Sequence, residues 1–257
     1  MRIATWNING MNARKDFVLH WLEARQPDVV ALQELKMTDD RFPVSAFEDA
    51  GYHVATHGQK SWNGVALLTR DPAEVLQRGL PGQEEFGSRL ITARIGDDVV
   101  TSVYCPNGKT LDHDDFGRKL EWFDALASHL DEHHPPSGAS ILCGDFNVCP
   151  SSLDTWRGEA ADGRIFCTKE ERARYEALLA HGLTDLYRDV HPTDRSFSWW
   201  DYRAGSFHKK QGLRIDFLLG TASMVERVQD AVIDRDYRKK KEGLTASDHA
   251  PVWVDLR

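Results

Sequence analysis

The chain has 257 residues, 41% of them hydrophobic and 28% charged, with 19 glycines and 10 prolines. These fractions exclude a collagenous, low-complexity or disordered chain, and the length allows a sizeable core. Against 32 basic residues stand 40 acidic ones, a net charge of −8. Any nucleic-acid contact must therefore be local, since charges beyond about 8 Å are screened at physiological salt.

The first residues enter directly on an apolar alternation, Ile3–Asn9, with none of the basic and hydrophobic regions of a secretory leader. A cytoplasmic protein is expected, with Cys105, Cys143, Cys149 and Cys167 reduced and half-buried. Phe17, Val18, Trp21 and Leu22 share one face of a predicted helix. Strand-like segments follow at Val29–Leu32, Gly64–Thr69, Leu90–Ile95 and Val99–Tyr104. Phe116, Leu120, Phe123, Ala127 and Leu130 line a second helix, and Glu170–His181 reads as a third. The remaining strand-like segments are Ser140–Phe146, Phe197–Trp200, Ile215–Leu219 and Val252–Leu256. No repeat or Gly/Ser linker divides them, so residues 1–257 read as one α+β domain of packed sheets flanked by helices. No apolar run reaches the ~18 residues of a membrane-spanning helix.

The strand ends carry the chemistry. Segment after segment ends in oxygen-bearing or imidazole residues followed by a turn former, which predicts a cleft holding Asn7, Glu34, Tyr104, Asp145, Asn147, Asp216, Asp248 and His249. Asp216 lies in an apolar stretch where an unpaired carboxylate is costly, so it needs Arg214 or His249 as partner. Four carboxylates in one pocket repel by roughly 3 kcal/mol per pair at about 5 Å and an effective dielectric near 20. They must protonate, pair, or hold a cation. A hard-oxygen donor set without cysteine selects Mg²⁺, or Mn²⁺, over zinc. The alternative is a structural ion-pair network, for which only Arg214 is obviously placed.

The motifs Asn7-Ile8-Asn9-Gly10, Leu32-Gln33-Glu34-Leu35-Lys36, Asn63-Gly64-Val65, Tyr104-Cys105-Pro106-Asn107-Gly108 and Gly144-Asp145-Phe146-Asn147 occur in order along the chain. They continue with Trp199-Trp200-Asp201-Tyr202-Arg203, Gly212-Leu213-Arg214-Ile215-Asp216 and Ser247-Asp248-His249-Ala250-Pro251. In order and spacing the whole set resembles exonuclease III, the bacterial branch of the apurinic/apyrimidinic endonucleases, within the deoxyribonuclease I-like phosphodiesterases. Three departures stand out: Leu35 where the family usually has threonine, Asn12 where arginine is frequent, and Phe166–Arg172 in place of the commoner helix entry.

The resemblance implies a four-layer sandwich with the cleft at one end of the sheets. It further implies Mg²⁺-dependent hydrolysis of duplex DNA by a monomer: incision 5′ to abasic sites, trimming of 3′ ends and 3′→5′ exonuclease action. Carried onto this sequence, Glu34 is the principal metal ligand, with Asn7 and Asp248, and Asp145, Asn147 and His249 are candidates for a second ion. Asp145 is the base that deprotonates water, oriented by Asn147. His249, held by Asp216, donates to the phosphoryl oxygen, and Tyr104 acts as donor or as phenolate. Asn107, Trp199, Leu213, Arg214 and Ile215 are the implied substrate contacts, with Trp199, Leu213 and Ile215 forming a pocket for a base-less sugar. Two basic segments, Lys209-Lys210 and Arg238–Lys241, are candidates for rimming the cleft. Two rival readings are a phosphoesterase for lipid or inositol phosphates and a DNA-binding regulator with a dead site. The first lacks a membrane-facing apolar loop, and the second should have lost a catalytic group.

Overall fold

Alternation along β1 (Arg2–Asn7) shows how the chain divides its space. Ile3 and Thr5 turn one way, Ala4 and Trp6 the other, and all four are buried, so the strand separates two packed layers. A computed structural model describes residues 1–257, apart from the side chains of residues 132 and 133. With strands numbered along the chain, the first sheet runs β11 (Val228–Ile233), β12 (Val252–Leu256), β1, β2 (Val29–Gln33), β4 (Val65–Thr69), β3 (His53–His57). The second runs β5 (Glu74–Arg78), β6 (Leu90–Ile95), β7 (Asp98–Tyr104), β8 (Ser140–Asp145), β10 (Asp216–Gly220), β9 (Thr184–Asp185). Both sheets are mixed: β1 and β2 pair in parallel, as do β7 and β8, and the other pairs are antiparallel.

The helices are α1 (Met11–Arg25), α2 (Val44–Asp49), α3 (Asp114–His133), α4 (Lys169–Ala180), α5 (Leu186–Val190) and α6 (Ala222–Val225). Three apolar layers hold the four tiers together. Trp6, Val30 and Leu32 pack on Phe17, Trp21 and Leu22 of α1. Between the sheets, Ile3, Val29, Ala31 and Leu67 meet Ile91, Val100, Ile141 and Leu218. On the far side, Leu142, Phe217 and Leu219 meet Trp122, Phe123 and Leu126 of α3 and Tyr175 and Leu178 of α4. This is the four-layer sandwich that the sequence motifs imply.

The inter-sheet layer turns polar toward one end. Gln33 donates to Thr5 Oγ1 (3.0 Å) and to Ser102 Oγ (3.1 Å), stitching the two sheets with fully buried groups. Just beyond this stitch lies the site.

Several sequence expectations need correction. Residues 197–200 form no strand but make isolated bridges, Trp199 to both Leu213 and His249. Strands β3, β5, β9 and β11 and the short helices α2, α5 and α6 carry no pattern that sequence periodicity brings out. All four cysteines are free as expected, but they are buried rather than half-buried. No helix among the described residues is long and apolar enough to cross a membrane.

Candidate active site

The period of two along a strand fixes which residues reach the site. Asn7 ends the inward row of β1, Tyr104 that of β7 and Asp145 that of β8; Asp216 begins the inward row of β10. Asp145 stands in register with Tyr104 on one neighbour and with Asp216 on the other. Because β10 runs antiparallel to β8, the start of one lies beside the end of the other. Gly144 makes this crowding feasible: its φ is 150°, and a Cβ there would sit 1.9 Å from the Val103 carbonyl oxygen.

The side chains form one continuous set of contacts. Asn7 Nδ2 donates to Glu34 Oε1 (2.8 Å) and to Asp145 Oδ2 (2.9 Å). Tyr104 donates its hydroxyl to the same Glu34 oxygen (2.9 Å), and Lys36 Nζ lies 2.8 Å from the other. His249 Nδ1 lies 2.9 Å from Asp216 Oδ2, and its Nε2 lies 3.8 Å from Asp145 Oδ2. Asp216 is fixed in turn by Ser198, whose hydroxyl donates to it (2.5 Å) while accepting from the Ile215 and Asp216 amides. Asn147 N donates to Asp145 Oδ1 (3.0 Å). Asp248 joins the edge of the cluster, accepting from Asn9 Nδ2 (2.9 Å) and Trp199 Nε1 (3.0 Å).

Burial and charge set the protonation states. Burial raises the Asp145 carboxyl to about 7 against the pull of His249. For His249, burial opposes the charged form, but Asp216 and Asp145 outweigh it and raise the imidazole to about 10. Burial pushes Glu34 up as well, yet Lys36, Asn7 and His249 together more than offset it and the carboxyl stays below its ordinary value. Tyr104 is held well above the usual phenol range by burial and by Glu34 and Asp145, so it is a phenol and a donor. Asp145, Asp216 and His249 offer ligand atoms within 4.8 Å of one another. Hard oxygens in excess of the local cations fit a divalent metal.

Asn7, Glu34, Tyr104, Asp145, Asn147, Asp216, Asp248 and His249 thus meet at one place. Asn107 is exposed at the rim and donates to Asn147 Oδ1 (3.3 Å). Half-buried Trp199 lies edge-on to His249, with ring centroids 6.5 Å apart, and pairs with half-buried Leu213; Ile215 is buried beneath them. Trp200, by contrast, is core. Arg214 is not brought to the cleft. Its guanidinium is buried and binds Asp154 (2.7 Å) and Asp185 (2.8 Å), so Asp216 takes His249 as its partner.

Arg238 departs from expectation too: it is 9% exposed and donates to the carbonyls of Asp248 and Trp200, while Lys239 and Lys241 pair with Asp236. Lys36, Ser198 and Lys119, which contact Glu34, Asp216 and the Asn147 carbonyl, are members of this network that sequence reasoning missed. Lys119 did leave a signal, a charge three residues from Phe116 and from Trp122 on an otherwise apolar stripe.

A two-sheet sandwich with acidic, amide and imidazole groups at one mouth is the architecture of metal-dependent phosphoesterases. The chain belongs to the Endonuclease/Exonuclease/phosphatase family, whose pattern matches residues 4–249. Within it the chain resembles exodeoxyribonuclease III of Haemophilus influenzae, at 37% identity over the full length of both. An exodeoxyribonuclease of Bacillus subtilis is 32% identical over 98% of each chain. Among solved structures, the 3′ phosphatase NExo from Neisseria bound to a product DNA hairpin superposes with a TM-score of 0.94, at 37% identity over 100% of this chain and 99% of that one. An AP endonuclease from Archaeoglobus fulgidus matches with the same score and coverage at 31% identity.

Proposed function

We infer that the chain is a Mg²⁺-dependent DNA repair nuclease of the exodeoxyribonuclease III type. It incises duplex DNA 5′ to abasic sites, trims 3′ ends and removes nucleotides 3′→5′. The observation that carries this reading is the unbroken run of contacts from Glu34 through Asn7 to Asp145, with Asp145 facing the His249–Asp216 pair. Two exodeoxyribonucleases, an AP endonuclease and a DNA-bound 3′ phosphatase among its relatives support the choice of DNA.

Glu34, Asn7 and Asp248 would hold one Mg²⁺ (Mn²⁺ as a substitute), and Asp145, Asn147 and His249 are the groups available to a second ion. Bound there, the metal supplies neutralisation of charge on the phosphate and on the leaving oxygen. Asp145 takes the proton from the attacking water; a carboxylate near 7 is matched to that task at neutral pH. The Asn147 amide occupies Asp145 Oδ1, leaving Oδ2 on the side of His249. His249 donates from Nε2 to the phosphoryl oxygen as charge builds, with Asp216 fixing Nδ1. Tyr104 adds a second donor, a neutral phenol beside the charged imidazolium. Trp199, Leu213 and Ile215 form the wall that accepts an extruded deoxyribose and rejects an intact nucleotide by shape. The enzyme acts as a cytoplasmic monomer whose catalytic unit spans residues 1–257.

The test is a duplex carrying one abasic analogue, incubated with Mg²⁺ and then with EDTA. Cleavage on the 5′ side is expected only with metal, with the circular dichroism spectrum unchanged by chelation. Parallel reactions on 3′-phosphate and undamaged duplexes rank the activities. Binding without cleavage in all of them would favour the regulator, and hydrolysis confined to inositol phosphates would favour the other phosphoesterase.

A further inference from the structure

Lys119 lies on α3, and neither its aliphatic stem nor its ammonium touches solvent. An ammonium has three N–H donors, and here three acceptors from three separate segments take them. Lys119 Nζ donates to the carbonyl of Asn147 (2.7 Å), to Oε1 of Glu171 (2.5 Å) and, more distantly, to the carbonyl of Asn107 (3.4 Å). The ring of Phe166 covers the cation at 4.9 Å. Glu171 is itself fixed, since its other oxygen accepts from the amide and hydroxyl of Thr168, the N-cap of α4.

The carbonyls gripped by Lys119 belong to two loops at the rim of the site. Asn147 stands at φ 50°, a left-handed conformation that needs support in a non-glycine residue. Its amide holds Asp145, its side chain donates to the Cys105 carbonyl (3.0 Å), and it accepts from Asn107. An isolated buried ion pair is weak evidence for added stability. One whose cation also grips the backbone behind two site asparagines has a second use.

We propose that Lys119 is a positioning residue for the reaction, its buried ammonium locking the backbones of Asn107 and Asn147 so that Asn147 and Asp145 face the scissile phosphate. This rests on the nuclease reading above, and nuclease activity of the unaltered enzyme tests that reading separately. Within the Phe166–Arg172 segment, Phe166 supplies the cover and Glu171 the counter-charge.

The experiment compares E171Q with K119M/E171Q. E171Q is the stability reference only: it strands the Lys119 ammonium without its counter-charge and offers one acceptor where Glu171 offers two, so its thermal transition is expected to fall. K119M/E171Q removes both charges together and leaves neither buried alone. Its thermal transition is expected at or above that of E171Q, its KM within threefold of the unaltered enzyme's, and its kcat at least tenfold below it, since small misplacements around reacting groups cost up to about 10²-fold. In an N147A background the same pair of substitutions should change kcat less than twofold. Near-normal kcat for K119M/E171Q, or an undiminished loss in the N147A background, overturns the proposal. Should K119M/E171Q not fold, K119R keeps the charge but places a broader guanidinium against Asn147; a kcat loss at unchanged KM is then expected, and unaltered kcat overturns the idea. An inactive parent enzyme would instead refute the nuclease reading.

Discussion

At the scale of single residues, the two groups that share the Asp145–His249 gap carry separable tasks. Asp145→Asn removes the base and should lower kcat by about 10²–10⁴-fold, and His249→Ala should cost at least as much through the missing donor. Asp145→Asn, which removes a buried charge, should keep the thermal transition of the parent within a few degrees, whereas His249→Ala leaves Asp216 with Ser198 alone and should lower it, so its circular dichroism spectrum is compared at a temperature where it is folded. Near-normal cleavage by either would remove that residue from the mechanism. These two were readable in the sequence because Gly144-Asp145-Phe146-Asn147 and Ser247-Asp248-His249 put polar groups where strand apolarity stops. Ser198 and Lys119 were not. A serine between Phe197 and Trp199, or one lysine on a helix, gains its role from neighbours far along the chain, Asp216 in one case and Glu171 in the other.

At the scale of elements, position within a sheet decides which strands can be read from sequence. β11 and β3 are the edges of the first sheet, and β5 and β9 those of the second. Edge strands face water along one side and need not be apolar; Glu74–Arg78 and His53–His57 are half-exposed for most of their length. The central strands, buried on both faces, declared themselves by apolar runs. The basic segments divide in a similar way. Lys209 and Lys210 are exposed, on a stretch whose neighbour Tyr202 bonds to the Ala246 carbonyl beside the site, whereas Arg238 is occupied by internal carbonyls. Replacing Lys209 and Lys210 by serine should flatten the plot of log K against log salt for duplex binding by about 0.9 for each phosphate no longer neutralised. Arg238→Ser should instead lower stability, with little change in that slope. A slope insensitive to Lys209 and Lys210 would remove them from the DNA interface.

At the scale of the whole molecule, Arg214 is a keystone beneath the site rather than a substrate contact. It joins Asp154, which follows the catalytic loop, to Asp185 at the edge of the second sheet, and Arg188 adds a second cation on Asp154 (2.7 Å). Burial raises the Asp154 carboxyl, but Arg214, Ser151 and Arg188 together outweigh it and the group lies below its ordinary value. A depressed carboxylate contributes stability that is present above its unfolded value, roughly 3.9, and is lost as pH falls through the folded one. Denaturant titrations should therefore show the parent more stable than Asp154→Asn at pH 7, with the gap closing below about pH 4. A gap that does not narrow at all as pH falls below 4 would mean the carboxylate charge is not what matters. Arg214→Met, which leaves two buried acids short of a partner, should cost about 3–5 kcal/mol.

The pairing of β1 with β12 carries a consequence for how activity arises. Trp6 donates to the His249 carbonyl across a sequence separation of 243 residues, and Ser247 donates to the Asn7 carbonyl beside it. A chain still emerging from the ribosome owns Glu34 and Asp145 long before Asp248 and His249. Until the last strand pairs with the first, His249 has no fixed place in the site, so cleavage is expected only from chains in which that pairing has formed.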